Sequence, residues 1–447
     1  MNKYYKYRSH ILSTALIVVF SVSANCQDKQ GSAVAEKSDS LSLQSVIADV
    51  ISTHPTVKGA EEALRNADAR IGLARTGYYP VVDAGASFSN IGPVMKITIP
   101  GINSTFQLYP ENNYSATINL RQVIYDFGRT RTNIEIENES KIIGEKSLDQ
   151  VRQKMALATI NSFYTLAFLQ HAIKIMDEQL VTLQAHLKYI ETLKSTGSAT
   201  DYQVLSTKVK ISTAESQKSD LVAALVIQQS YLCSLTGKND QTPVVKEELD
   251  VPAPMTSNDS LLNFAYRNRS EMAINHEKSV LAELRYQFTK TLDKPVVNFF
   301  AAGGAKNGYL PELAQLKLNY AVGVGISVPI FDGMKTKYNL QQVESSINSL
   351  KFENEGTRRS ITSEVREAEE YVASAKQKEL QFRLQLEEAQ DAYSLAETSF
   401  RAGVITNLEL LDANTTVSQS MLMLLKARID YAASIYRLKA VLGERLY

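Results

Sequence analysis

Tryptophan is absent from this sequence and cysteine nearly so, with two residues in 447. A disulfide scaffold is therefore excluded, and five scattered histidines add no metal cage. An excess of charge of either sign is lacking as well. Forty-eight Lys and Arg balance 48 Asp and Glu, so no bulk field draws the chain to nucleic acid. Proline and glycine are scarce, 11 and 20, and they cluster, which leaves long stretches without helix breakers. Past the N-terminus no apolar run is long enough for a transmembrane helix. Catalytic signatures are missing too: there is no H-E-x-x-H, no P-loop and no G-x-S-x-G. His54, His171, His186 and His276 have no partners at ligand spacing, and Glu369-Glu370 and Glu387-Glu388 read as solvated helix faces. No enzyme, cofactor or metal is expected.

What is present begins with an export signal over residues 1–24. Lys3, Lys6 and Arg8 form a positive head, "ILSTALIVVFSV" an apolar middle and Val22-Ser23-Ala24 a small-residue cleavage site. Cleavage before Cys26 would instead give a lipid-modified terminus, though Asn25 fits that signal poorly. Residues 25–40 are a polar tether.

The rest of the chain says one thing twice. "IYDFGRTRTN" at 124 and "IFDGMKTKYN" at 330 match at Ile124/Ile330, Asp126/Asp332, Thr130/Thr336 and Asn133/Asn339, every pair 206 residues apart. Gly197/Gly403, Thr200/Thr406, Leu205/Leu411 and Gly237/Gly443 keep that spacing. Upstream, Pro80 and Pro295 are 215 apart, so the first copy carries nine extra residues in a loop between Pro80 and Ile124. Two fused units follow, 41–240 and 258–447, joined by a linker at 241–257. Each reads as helix, two strands, long helix, helix. The expected helices are 55–77, 129–195 and one from Thr200 or Asp201 to Gly237, then 270–293, 334–401 and 406–442. In the long helix of the first unit the apolar seam runs through Leu148, Val151, Met155, Ala158, Ser162 and Leu166 and on to Ile190.

Four ten-residue segments alternate with period two. Leu318, Tyr320, Val322, Val324, Ile326, Val328 and Ile330 face away from Asn319, Ala321, Gly323, Gly325 and Ser327. Tyr114, Ala116, Ile118 and Leu120 oppose Ser115, Thr117, Asn119 and Arg121; Val82, Ala84, Ala86 and Phe88 oppose Asp83, Gly85, Ser87 and Ser89. "VVNFFAAGG" from Val296 is less clean. This is the pattern of membrane barrel strands, and a soluble half-buried sheet shows the same alternation; the export signal and the very long helices favour the membrane. Four strands cannot close a barrel, which needs about eight, and lipid does not tolerate an open edge. Several chains must then share one barrel. Where strand becomes long helix, Tyr125, Phe127 and Phe331 suit the lipid–water interface. Asp126 and Asp332 suit the first helical amides, and Pro329 a strand exit.

The tandem repeat, "VPIFDGMKTKYN" with its looser twin "RQVIYDFGRTRTN", and the turns "STGSATDYQVL" and "RAGVITNLELLDANTT" together resemble the TolC-type outer-membrane efflux proteins from about residue 41 to 443. The resemblance departs at Val123, in place of proline, at Phe127, an extra residue before Gly128, and at Asn407, where aspartate is commoner. It implies a mainly α protomer of a homotrimer: a twelve-stranded barrel in outer-membrane lipid of a Gram-negative cell, continued by an α-helical tunnel across the periplasm. Junction residues would be Tyr125, Asp126, Phe127, Gly128, Pro329, Phe331, Asp332 and Gly333. The periplasmic tip, where an adaptor docks, would comprise Gly197, Thr200, Asp201, Leu205, Gly403, Thr406, Asn407 and Leu411, with both leucines packed between helices. Asp391 or Glu397 would contribute to a cation-selecting acidic ring in the lumen, although composition alone reads them as a solvated helix face. The implied role is a passive exit duct for an inner-membrane pump of RND, ABC or MFS type and its periplasmic adaptor, with cargo either small toxic molecules or secreted polypeptides. The rival from the residues alone is an exported coiled-coil scaffold that conducts nothing.

Overall fold

The computed structural model describes residues 42–98, 101, 105–238 and 258–447. The export signal, Cys26, the tether and the linker lie outside the described residues. Helix α1 (Leu43–Thr53) is capped by Ser42, and α2 (Pro55–Arg75) has proline at its first position, where the missing N–H costs nothing. Strands β1 (Val81–Asn90), β2 (Lys96–Thr98), β3 (Thr105–Gln107) and β4 (Asn112–Tyr125) follow, then helices α3 (Arg129–Ser195) and α4 (Asp201–Thr236). The later half comprises α5 (Asn258–Asn268), α6 (Ser270–Lys290), β5 (Val296–Lys306), β6 (Lys317–Ser327), α7 (Lys335–Arg401) and α8 (Asn407–Leu442). Corresponding helices match in length at 11, 21, 67 and 36 residues. At 1.5 Å per residue, α3 and α7 are each about 100 Å long. The extra residues of the first half carry a ribbon of their own, β2 paired with β3.

The four long strands form one antiparallel sheet in the order β1-β4-β5-β6, which among the described residues leaves β1 and β6 as free edges. Its register aligns the alternating faces. Ala84 lies opposite Ile118, Leu120 opposite Ala301, and Ala301 opposite Val322, so a single apolar face crosses all four strands. The ambiguous strand is resolved by the same register: Phe299 shares the apolar face beside Val324, whereas Phe300 turns the other way. There Phe300 lies across Gly323, where an added Cβ would meet its ring at 2.5 Å. One strand is shorter than its alternation predicted, and another carries a bulge. The alternation ran on to Ile330, but β6 ends at Ser327, where β5 begins opposite it and Pro329 has no N–H to continue the ladder. A bulge at Ile124 shifts the β4–β5 register, so that Tyr125 pairs with Val297; bulges of this kind re-aim a strand end.

Helix α3 is the hub, packing against α1, α2, α4, α6 and α8. The seam predicted for it is too narrow. Val151, Met155 and Ala158 are only half-buried, while Ala156, Thr159, Ile160, Phe163 and Tyr164 are buried. A two-helix seam needs one stripe, but neighbours on several sides bury a wider arc. Ile160, Phe163, Tyr164 and Leu166 pack with Val46, Leu232 and Ile429 in one cluster, and Ile361, Val365, Leu261 and Leu438 in another. A third joins Met176, Leu180 and Leu183 of α3 to Ile211 of α4 and Leu411 of α8. Among the described residues no helix is long and apolar enough to cross a membrane.

Candidate functional site

Two places carry the repeated motifs: the strand-to-helix junctions and, a long helix away, the turns α3–α4 and α7–α8. At the first junction Asp126 folds back over the start of α3. Its carboxylate accepts from the N–H of Gly128 (3.1 Å) and of Thr130 (2.8 Å) and from the Thr130 hydroxyl (2.5 Å). Asp332 accepts from the N–H of Thr336 at 2.8 Å. Both aspartates lie just beyond the strands. Burial works against the Asp126 charge, but the Thr130 and Gly128 hydrogen bonds and the Arg129 charge hold its carboxyl below the usual range. The Thr336 hydrogen bonds do the same for Asp332.

Each junction passes through two consecutive left-handed residues, Phe127 (φ 53°) and Gly128 (87°) in one, Gly333 (70°) and Met334 (67°) in the other. Glycine fills the second position in the first copy and the first position in the second. In each copy the remaining site therefore holds a side chain in a conformation that costs roughly 1–2 kcal/mol. The extra Phe127 is thus the counterpart of Gly333, not an insertion. Its ring meets Tyr125 edge to face at 4.7 Å. Phe331 is exposed, and Pro329 lies between β6 and α7. The Arg129 guanidinium also donates to the Thr291 carbonyl (2.7 Å), which ties the start of α3 to the end of α6.

The turns are built alike. Gly197 (φ 78°) and Gly403 (76°) close the long helices in Schellman motifs, with Ser198 N–H donating to Leu193 O and Val404 N–H to Ser399 O. Thr200 and Thr406 then cap the next helices in capping boxes with Gln203 and Glu409. Asp201 is the first residue of α4 and pairs with Lys194 across the turn. Beyond the caps the copies diverge. Leu411 is buried as expected, at 1% exposure, but Leu205 is 62% exposed and does not pack between helices. The cause is tertiary: α8 lies against α3 and α4 as well as α7, whereas the corresponding face of α4, around Leu205, has no neighbour among the described residues. Tyr202, Leu205, Val404 and Leu408 are left exposed around the two turns.

Asn407 is 2% exposed and works inside the protomer. Its amide nitrogen lies 3.2–3.3 Å from Gln203 O, Ser206 Oγ and Thr207 Oγ1 of α4. Its Oδ1 is 2.6 Å from His186 Nε2 of α3. Because that oxygen can only accept, His186 carries its proton on Nε2. The His186 ring in turn meets Phe400 of α7 at 5.5 Å. One side chain thus gathers the ends of α3, α4 and α8. The sequence placed Asn407 at the turn but gave no sign of His186, which sits 221 residues away in the chain. Of the two acids considered for a lumen ring, Asp391 is exposed and Glu397 is paired with Arg401 of the next helical turn at 2.5 Å.

A family model described as outer membrane efflux protein matches residues 46–238 and 295–444. The toluene efflux pump outer membrane protein TtgC of Pseudomonas putida is 24% identical over 400 residues, spanning 85% of this chain and 78% of that one. The alkaline protease secretion protein AprF of Pseudomonas aeruginosa is 20% identical over 340 residues, 74% and 70% of the two chains. In fold, the solved structure of CusC superposes with a TM-score of 0.76 at 17% identity, covering 93% of this chain and 95% of that one.

Proposed function

The chain belongs to the outer membrane efflux protein family, and from that premise we propose that it is the exit duct of a pump or secretion assembly, passing cargo passively across the outer membrane. One observation carries this reading: a four-stranded sheet with two free edges and one apolar face, set on helices of 67 residues. On β6 the outward side chains Leu318, Tyr320, Val322, Val324 and Ile326 are 61–90% exposed. In water such a surface would aggregate; in lipid it is the required one. The edges require partners because unpaired backbone groups in hydrocarbon each cost several kcal/mol. Three copies, each giving four strands, supply twelve.

The helices support assembly from a second direction. Of two helices equal in length, α3 has 17 buried residues and α7 has four. Phe352, Leu380, Leu384 and Leu395 of α7 are exposed, and so are Val209, Val226 and Ile227 of α4. Neighbouring copies would cover these faces. The exposed residues Tyr202, Leu205, Val404 and Leu408 at the turns suit a periplasmic adaptor, which would link the duct to an inner-membrane pump. TtgC is named for toluene efflux and AprF for protease secretion, so the relatives leave both cargo classes open here.

Planar-bilayer conductance of the purified protein, with its mass in detergent, tests the reading. A trimer with small currents that grow when the turns at Gly197 and Gly403 are disrupted is the expected result. A water-soluble species that never conducts would overturn it in favour of a coiled-coil scaffold.

A further inference from the structure

A cavity of about 610 Å³ opens between α3, the α5–α6 corner and the end of α8, far from both repeated motifs. This size suits a small ligand. Its walls are fixed. Gly443 (φ 80°) ends α8 so close to the α5–α6 corner that an added Cβ would come within 2.7–2.8 Å of the Asn268 and Arg269 backbone. Gln153 locks the opposite side, donating to Glu444 O at 2.6 Å and accepting from Leu446 N–H at 3.2 Å.

The charges of this wall are unevenly committed. Each acid has a partner: Asp149 takes Arg445 at 3.6 Å and the Tyr447 hydroxyl at 3.2 Å, Glu271 takes Arg269 and Gln150 at 3.1 Å each, and Glu444 takes Lys439 at 3.4 Å. Lys146, Lys154 and Arg267 line the same cavity, and among the described residues their side chains have no ion pair or hydrogen bond. Lys146 and Lys154 are two turns apart on one face of α3, about 12 Å along its axis, and Arg267 approaches from the last turn of α5. Leu157, Phe264 and Val441 add an apolar portion.

Three uncommitted cations lining one open cavity whose acids are all paired make a site for negative charge. We propose that this cavity binds a small multivalent anion, a polycarboxylate or a phosphorylated compound. The lining residues all come from one chain, α3 from the first half and α5, α6 and α8 from the second.

Isothermal titration of the detergent-purified full-length protein at low ionic strength tests this, with citrate as the carboxylate probe and pyrophosphate as the phosphate probe. Saturable binding of at least one is expected, weakened at least about tenfold in the Lys146→Gln/Lys154→Gln/Arg267→Gln variant and progressively by added salt. A response to only one probe identifies the anion's chemistry. Lys154→Gln and Arg267→Gln alone, both at exposed positions, provide the comparison if the triple variant misfolds, and each should weaken binding measurably. The proposal is overturned if neither probe binds saturably, or if the variants bind as the parent does. Conductance is not read, so this result stands apart from the fate of the duct.

Discussion

A single amide, Asn407, joins three helices near the turns, and its environment defines what replacing it should do. Leucine is similar in volume but offers no hydrogen bonds, so Asn407→Leu would leave His186 Nε2 and Thr207 Oγ1 without this partner. Thr207 Oγ1 keeps its bond to Gln203 O at 2.8 Å, so the main loss falls on half-buried His186, and a stranded group of that kind costs on the order of 1 kcal/mol. Thermal unfolding and amide exchange at the starts of α4 and α8 should show destabilisation concentrated there, with the sheet unaffected. A variant as stable as the parent, with unchanged exchange, would mean that the network is incidental. An aspartate at this position would lose the donor to Gln203 O while remaining an acceptor for His186. Within the chain, the asparagine supplies both the donor that α4 takes and the acceptor that His186 takes.

At the scale of elements, the starts of α3 and α7 rest on aspartates whose carboxyls are held below their ordinary range. The stability they add is present above the unfolded-state value, roughly pH 3.9, and is lost as pH falls below it through the folded values. Amide exchange at Thr130 and Thr336 should therefore stay protected on acidification to about pH 4 and open only below it. In Asp126→Asn and Asp332→Asn variants that acid-dependent step should vanish. Loss of protection well above that pH in the parent would contradict the assignment. These elements were largely legible beforehand, because glycine and proline mark their ends and because alternation separates the two faces of each strand. The bulge at Ile124 was not, since an extra residue in a strand leaves no mark in composition. Neither was the exchanged order of glycine and side chain at the two junctions, which only the backbone angles reveal. Leu205 and Leu411 make the same point: equal positions in the repeat acquire opposite burial because one helix has neighbours on more sides. A local pattern cannot report how many helices will surround it.

For the whole molecule, the two faces of the sheet should answer differently to charge. Arginine on a lipid face costs about 2–4 kcal/mol near the bilayer midplane, so Val322→Arg with Val324→Arg should reduce recovery from the outer-membrane fraction and deplete the assembled species. Ser87→Arg, on the opposite face, should leave both unchanged. Equal losses from the two faces would argue that the sheet is buried in protein rather than lipid. The divergence of the turns has a consequence for symmetry. A closed ring of three chains would show its partner six turns, but of two kinds in alternation. One kind carries Lys194 paired with Asp201 and an exposed Leu205; the other carries the Glu409 cap and a buried Leu411. To a partner the ring is then threefold and never sixfold, so six identical partner subunits could not all grip it in the same way.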